Sequence, residues 1–209
     1  MAGSSFENYN TNYNTDPADL SGLGNLELIF EGVATVLAPF EIRGRDLGAV
    51  LEGFDVNFAL GTLTLGGADI RQVQLVDTFD NQPGWSGSEA LYVSNLIMNA
   101  GATVDLNDLH LYYLNGGAPK QFFNGDADLD GDVDAANYIA WHAGFGTTTG
   151  GIWETGDFDG DGDVDAADYI IWQASFGSVT SEGAPVPEPA TLMLLLAGGV
   201  LAIMRNRRK

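Results

Sequence analysis

The chain has no cysteine among its 209 residues. Disulfides and thiolate metal sites are excluded, so an exported form must rely on its apolar core and on ligands other than sulfur. Positive charge is nearly as scarce, with 8 Lys and Arg against 29 Asp and Glu and a net charge of −21. Four of the eight, Arg205, Arg207, Arg208 and Lys209, occupy the last five positions, and between residues 126 and 168 there are 12 acids and no Lys or Arg. Such a surface repels a phosphate backbone, which argues against nucleic acid as a partner. The opening residues MAGSSFENYN carry neither a basic start nor an apolar stretch, so no export signal is legible there. Phosphate loops and nucleophile elbows are also missing.

What the chain does have is one acidic loop written twice. Residues 126–137 read DADLDGDVDAAN and residues 157–168 read DFDGDGDVDAAD, with starting points 31 residues apart. Carboxylates at positions 1, 3 and 5 (Asp126, Asp128, Asp130; Asp157, Asp159, Asp161) converge if the chain turns sharply. Gly131 and Gly162 at position 6 permit that turn. Position 7 would offer a backbone carbonyl (Asp132, Asp163), position 9 a carboxylate acting through water (Asp134, Asp165), and position 12 closes the loop. Position 12 holds Asn137 in the first copy and Asp168 in the second, where the usual residue is Glu. These are the ligand types of two calcium ions, with the first site the weaker because Asn137 brings one neutral oxygen.

The segments after the loops repeat too. Tyr138, Trp141 and Phe145, like Tyr169, Trp172 and Phe176, fall at helical spacing, and Gly146 or Gly177 stops each helix. No amphipathic helix precedes the first loop, where Gly116-Gly117-Ala118-Pro119 breaks the chain. Over about residues 124–177 the pattern resembles the type I dockerin family, two loop-helix repeats with Asp at position 12. The resemblance implies a small all-α module holding two calcium ions and a cohesin-like partner. Alanine pairs at loop positions 10 and 11 (Ala135-Ala136, Ala166-Ala167), with His142-Ala143 and Gln173-Ala174 further on, depart from the polar residues with which cellulosomal dockerins choose their cohesins.

At the C-terminus Pro187-Glu188-Pro189 precedes an apolar run, residues 190–204, and the basic end comes after it. Fifteen residues make a helix of about 22 Å, short of a hydrocarbon core of roughly 30 Å. The basic cluster sets its orientation, with the C-terminus in the cytoplasm. The tail resembles the PEP-CTERM sorting signal, which implies export, processing by an exosortase-type enzyme and delivery to the cell surface or outer envelope, with transient or permanent inner-membrane anchoring. A tail signal without a head signal suggests that the chain is the C-terminal part of a longer protein.

Upstream, short apolar runs at 26–30, 34–37, 58–60, 62–65, 73–76, 90–93, 96–98 and 109–113 alternate with Gly and Asn turns. This predicts a mainly β domain, a β-solenoid end or a β-sandwich. The solenoid is favoured because residues 94–111 string short strands together without hairpin turns. His110, His142 and the acids Glu27, Glu31, Glu41 and Glu52 form no catalytic motif, and Trp85 in the loop 77–89 reads as a connecting-loop aromatic before a sugar platform. The expected organisation is an incomplete β-rich domain (1–117), a dockerin-like module (118–180), a linker bearing the sorting motif (181–189), a transmembrane helix (190–204) and a basic cytoplasmic tail (205–209). The leading reading is a non-catalytic exported surface protein. The alternative is the C-terminal part of a dockerin-bearing polysaccharide-degrading glycoside hydrolase.

Overall fold

In the computed structural model, residues 23–30, 38–55, 57–67, 71–80, 82 and 84–181 are described. The expected strand at 34–37, most of the linker, the apolar segment 190–204 and the basic end lie outside them. Among the described residues no helix is long and apolar enough to cross a membrane.

Strands are laid down alternately in two sheets. In the first, β1 (Glu27–Phe30), β4 (Leu60–Leu65), β6 (Glu89–Met98) and β8 (His110–Asn115) lie side by side in that order, each parallel to the one before. In the second, β2 (Ala38–Glu41), β5 (Arg71–Val76) and β7 (Ala102–Asp105) do the same. Like residues stack across the register: Phe30 beside Leu65, Leu91 beside Leu111, Val93 beside Tyr113, and in the other sheet Phe40 beside Leu75 and Val73 beside Val104. All of these are buried. Where consecutive strands in different sheets are joined by only a few residues, as at 99–101 and 106–109, no hairpin forms and each strand pairs in parallel with an earlier one. Gly66 shows why one bend needs glycine: its φ is +75°, and a Cβ there would lie 2.6 Å from the Ala100 carbonyl oxygen of the next bend.

Several expected runs merge or shift. The runs at 58–60 and 62–65 fall into one strand, β4, which begins at Leu60, and the runs at 90–93 and 96–98 join in β6. Two short elements without a clear periodicity appear between β2 and β4. β3 (Gly44–Arg45) pairs antiparallel with β6, and α1 (Glu52–Asp55) is a single turn. Their segment covers the outer face of the first sheet, where Tyr92 stacks on Tyr112 at 4.8 Å and Phe54 meets Tyr92 edge-on.

After β8 the chain reverses at Gly116-Gly117, both at positive φ, and returns as β9 (Ala118–Gln121), antiparallel to β8. Two adjacent left-handed residues suit a two-residue hairpin. Pro119 is tolerated because β9 is an edge strand. The two helices α2 (Ala135–Gly144) and α3 (Ala166–Ser175) come next, each starting at the end of an acidic loop. The apolar core runs without a break from Phe30 through Phe122 to Trp153, Phe158 and Val164. Strands and helical region therefore share one interior, and the residue 117/118 position falls within the β8–β9 hairpin.

Trp153, 1 % exposed, sits at the join. Its ring lies 5.4 Å from Phe122 and 5.3 Å from Phe158, and its Nε1 donates to the Asp126 carbonyl at 2.6 Å. Trp153→Phe leaves that carbonyl unpaired and a void beside the ring, and should cost about 2–4 kcal/mol. Denaturant unfolding of the calcium-saturated full chain measures it; a loss under about 0.5 kcal/mol, the range of ordinary surface changes, would remove Trp153 from the join.

Candidate metal centre

Each loop is shaped by its own position-1 aspartate. Asp126 accepts hydrogen bonds from the amides of Asp130 (3.3 Å) and Gly131 (3.0 Å), and Asp157 accepts from Gly160 (2.9 Å) and Gly162 (3.1 Å). The position-5 carboxylates accept from the position-7 amides at 3.1 and 3.0 Å. Gly131 and Gly162 take φ values of +89° and +90°, the left-handed turn expected at position 6.

This brings together Asp126, Asp128 and Asp130 in the first loop, and Asp157, Asp159 and Asp161 in the second, with ligand oxygens in each set within 4.8 Å of one another. In the second loop Asp163, Asp165 and Asp168 form a further set. Asp132 joins no such group, and Asp134, like Asp165, is engaged as a helix N-cap: the two carboxylates accept from the amides of Ala136 and Ala167 at 2.6 Å. Position 12 reaches back to complete a capping box at both helices. The loop and the helix after it are thus one hydrogen-bonded unit.

The position-12 residues differ as their chemistry requires. Asn137 spends its oxygen on the Asp134 amide (2.7 Å) and turns its NH2 to Asp128 (3.0 Å). Asp168 accepts from the Asp165 amide with one oxygen (2.9 Å) and keeps the other among loop residues, accepting from Phe158 (2.7 Å) and Asp159 (3.2 Å). A carboxylate can shape the loop and still present an oxygen to a cation; the amide of Asn137 has no second oxygen.

The two units hold each other. Trp141 Nε1 on α2 donates to the Asp165 carbonyl of the second loop (2.8 Å), and Trp172 Nε1 on α3 donates to the Asp134 carbonyl of the first (2.9 Å). Val164 exchanges backbone hydrogen bonds with Gly146 and Thr147, and Val133 does so with Gly177 and Ser178. From the β side, the Tyr113 hydroxyl donates to Asp126 at 3.3 Å.

The donor set fits a hard divalent cation. Asp126, Asp157 and Asp168 are at most 1 % exposed, and among the described residues none of the loop aspartates forms a salt bridge with Lys or Arg. Buried carboxylates without a counter-charge are costly. Burial first, and neighbouring carboxylates such as Asp128 to a smaller degree, push Asp126 up to about 7. Burial, with Asp168 next, pushes Asp157 up to about 6, and burial likewise raises Asp159 to about 6. Oxygen-only ligands in this pattern suit calcium, which would replace the missing positive charge.

The remaining residues singled out by sequence serve structural roles or stand apart. Glu41 is buried and accepts from the amides of Thr78 and Phe79, which anchors the 77–89 loop. Glu27 and Glu52 are exposed and apart from it, and Glu31 lies outside the described residues. Trp85 carries Arg45 over its ring at 5.4 Å. His142 is exposed beside Tyr138. His110 is paired: its Nδ1 lies 2.5 Å from Asp46 Oδ2, and the Tyr112 hydroxyl donates to the same carboxylate at 2.9 Å. Asp46 is 64 residues from His110, so no local motif signals the pair. Tyr113, Trp153 and Thr180, which support the first loop, are equally invisible to motif reading.

The charge arrangement has two measurable consequences. Asp126, Asp157 and Asp159 have folded values above the ordinary 3.8. Without metal, the folded chain therefore holds more protons than the unfolded one between these limits, and stability falls as pH rises from about 4 to about 7. A bound calcium ion would select the deprotonated form and reverse this. Thermal melting monitored by circular dichroism should give, in chelator, a lower midpoint near pH 8 than near pH 5, and in calcium the opposite order; the same order in both would contradict the arrangement. At position 12, Asn137→Asp should tighten the first loop by about tenfold while Asp168→Ala weakens the second, two steps that calorimetry separates. Equal, tight binding at both loops of the unaltered chain would show that position 12 does not set the difference.

Residues 185–209 match the PEP-CTERM protein-sorting motif. No curated protein and no solved structure matches the chain. The matched tail implies export, processing by an exosortase, and sorting to the cell surface or envelope.

Proposed function

We propose that this is a non-catalytic, exported surface protein in which the end of a β-solenoid is closed by a calcium-stabilised, dockerin-like module and delivered by a processed C-terminal tail. The tail match over residues 185–209 carries the reading. The solenoid is supported by the alternation of parallel strands between two sheets with like residues stacked in register. The dockerin likeness is supported by the duplicated loop-helix units and by the absence of a helix entering the first loop, where β9 and a short extended segment lead in.

Attachment to a cohesin-like partner is favoured by the outer faces of α2 and α3. Ile139 and Ile170, at matching places in the two units, are exposed, as are Phe145 and Phe176. Equivalent apolar side chains on a duplicated pair of helices suit a partner that can read either unit. Two calcium ions would be structural here, holding that face in shape, with the tail threading the inner membrane through residues 190–204 until the exosortase acts near Pro187, Glu188 and Pro189.

The processing claim is tested with two tags in a chain given an export signal and expressed in a host that has an exosortase. One tag is placed after Lys209, and the other is inserted at the exposed Gly116-Gly117 turn. Surface or extracellular material should keep the turn tag and lose the terminal one. Both tags on the same surface molecules would leave only a short membrane anchor and would end the proposal of processing.

A further inference from the structure

The two calcium loops are closed alike but by different pieces of chain. In the second loop the carbonyl of Gly162 accepts from Gly151, in the segment between the units, at 2.8 Å. In the first loop the carbonyl of the equivalent Gly131 accepts twice from Thr180, from its amide at 2.7 Å and from its hydroxyl at 2.8 Å. The Thr180 hydroxyl oxygen also accepts from the Gln121 amide at 2.9 Å, which ties in β9. Beside it Val179 bridges to Asp132, and Ser178 accepts from Val133. The approach is close, since a Cβ on Gly131 would lie 2.5 Å from Thr180 Oγ1 and 2.7 Å from Lys120 Cδ. Thr180 is buried, yet the sorting-motif match begins five residues later, at 185.

We propose that residues 178–180 form a strap across the first calcium loop, so that calcium there fixes where the sorting tail leaves the folded body, and the strap in turn holds that loop in shape for calcium. The inference rests on the calcium reading of the loop. With the strap closed, residues 181–186 separate Thr180 from Pro187, a reach of about 25 Å at most. With it open, the nearest fixed point is Gly177 at the end of α3, and the reach grows to about 35 Å. A calcium-loaded body is thereby held close to the site at which the tail is processed. Because coupling between two sites is reciprocal, the strap tightens calcium by the factor by which calcium tightens the strap. The second loop is closed by Gly151 from the segment between the units, so the link to the tail is confined to the first.

The test uses the full chain in detergent, with Thr180→Val, which removes the hydroxyl and keeps the volume, and Thr180→Ser, which keeps the hydroxyl. Calcium calorimetry should show Thr180→Val weakening the first loop by about three- to tenfold, the worth of one or two hydrogen bonds, with the second loop unchanged and Thr180→Ser close to the unaltered chain. The two steps are assigned by the shift that Asn137→Asp produces. In saturating calcium, a glutamate-specific protease should cut after Glu182 faster in Thr180→Val by a similar factor. If the unaltered chain binds no calcium, the calcium reading itself fails. If it binds calcium but Thr180→Val matches it in first-loop affinity and cleavage rate, or weakens both loops equally, the strap alone is overturned.

Discussion

Buried negative charge, with no Lys or Arg salt bridge to it among the described residues, is the constraint on which the helical region depends. Eleven aspartates line two loops whose position-1 residues are sealed from water. These residues accept mainly from their own loop amides, which orient the oxygens toward one another and concentrate charge. An isolated carboxylate in such a place would stay protonated or open the fold. A divalent cation removes the conflict, and its binding free energy then becomes folding free energy. Such a dependence would suit a protein sorted to the surface or envelope, where divalent cations are met after export.

The strand region works on a different principle. Its sheets grow by parallel addition, so each layer buries the one beneath and needs one above. At the C-terminal end that need is met by β9 and by Phe122, Trp153 and Phe158 of the helical region, which continue the same apolar core. Tyr113 and Trp153 carry the join into the first acidic loop, one through the Asp126 carboxylate and the other through its carbonyl. A cation held in that loop would therefore be mechanically connected to the closing of the β stack.

The duplicated units add a second level of coupling. Each tryptophan and each helix exit is used by the opposite loop. Neither unit is complete alone, so the pair should order together. The exit from α3 differs from the exit from α2 in its destination, because it leads to the matched sorting tail. The first loop, with the poorer ligand Asn137, is also the loop that receives that chain.

Much of this was legible in the primary structure because its causes are local. The position-6 glycines, the position-1, 3 and 5 carboxylates, the helices ended by Gly146 and Gly177, and the charge asymmetry of the tail depend on spacing within a few residues, and spacing is what a sequence displays. Alternating short strands were visible as β runs for the same reason. The pairing of those strands was not, because a parallel partner lies a whole coil away; β3, β7 and the single turn α1 carry too few residues for a periodicity of their own. Tertiary structure alone brought Asp46 to His110, Tyr113 and Trp153 to Asp126, and Thr180 to Gly131. Each of these contacts joins groups whose separation along the chain bears no relation to their separation in space, and burial decides which of them forms.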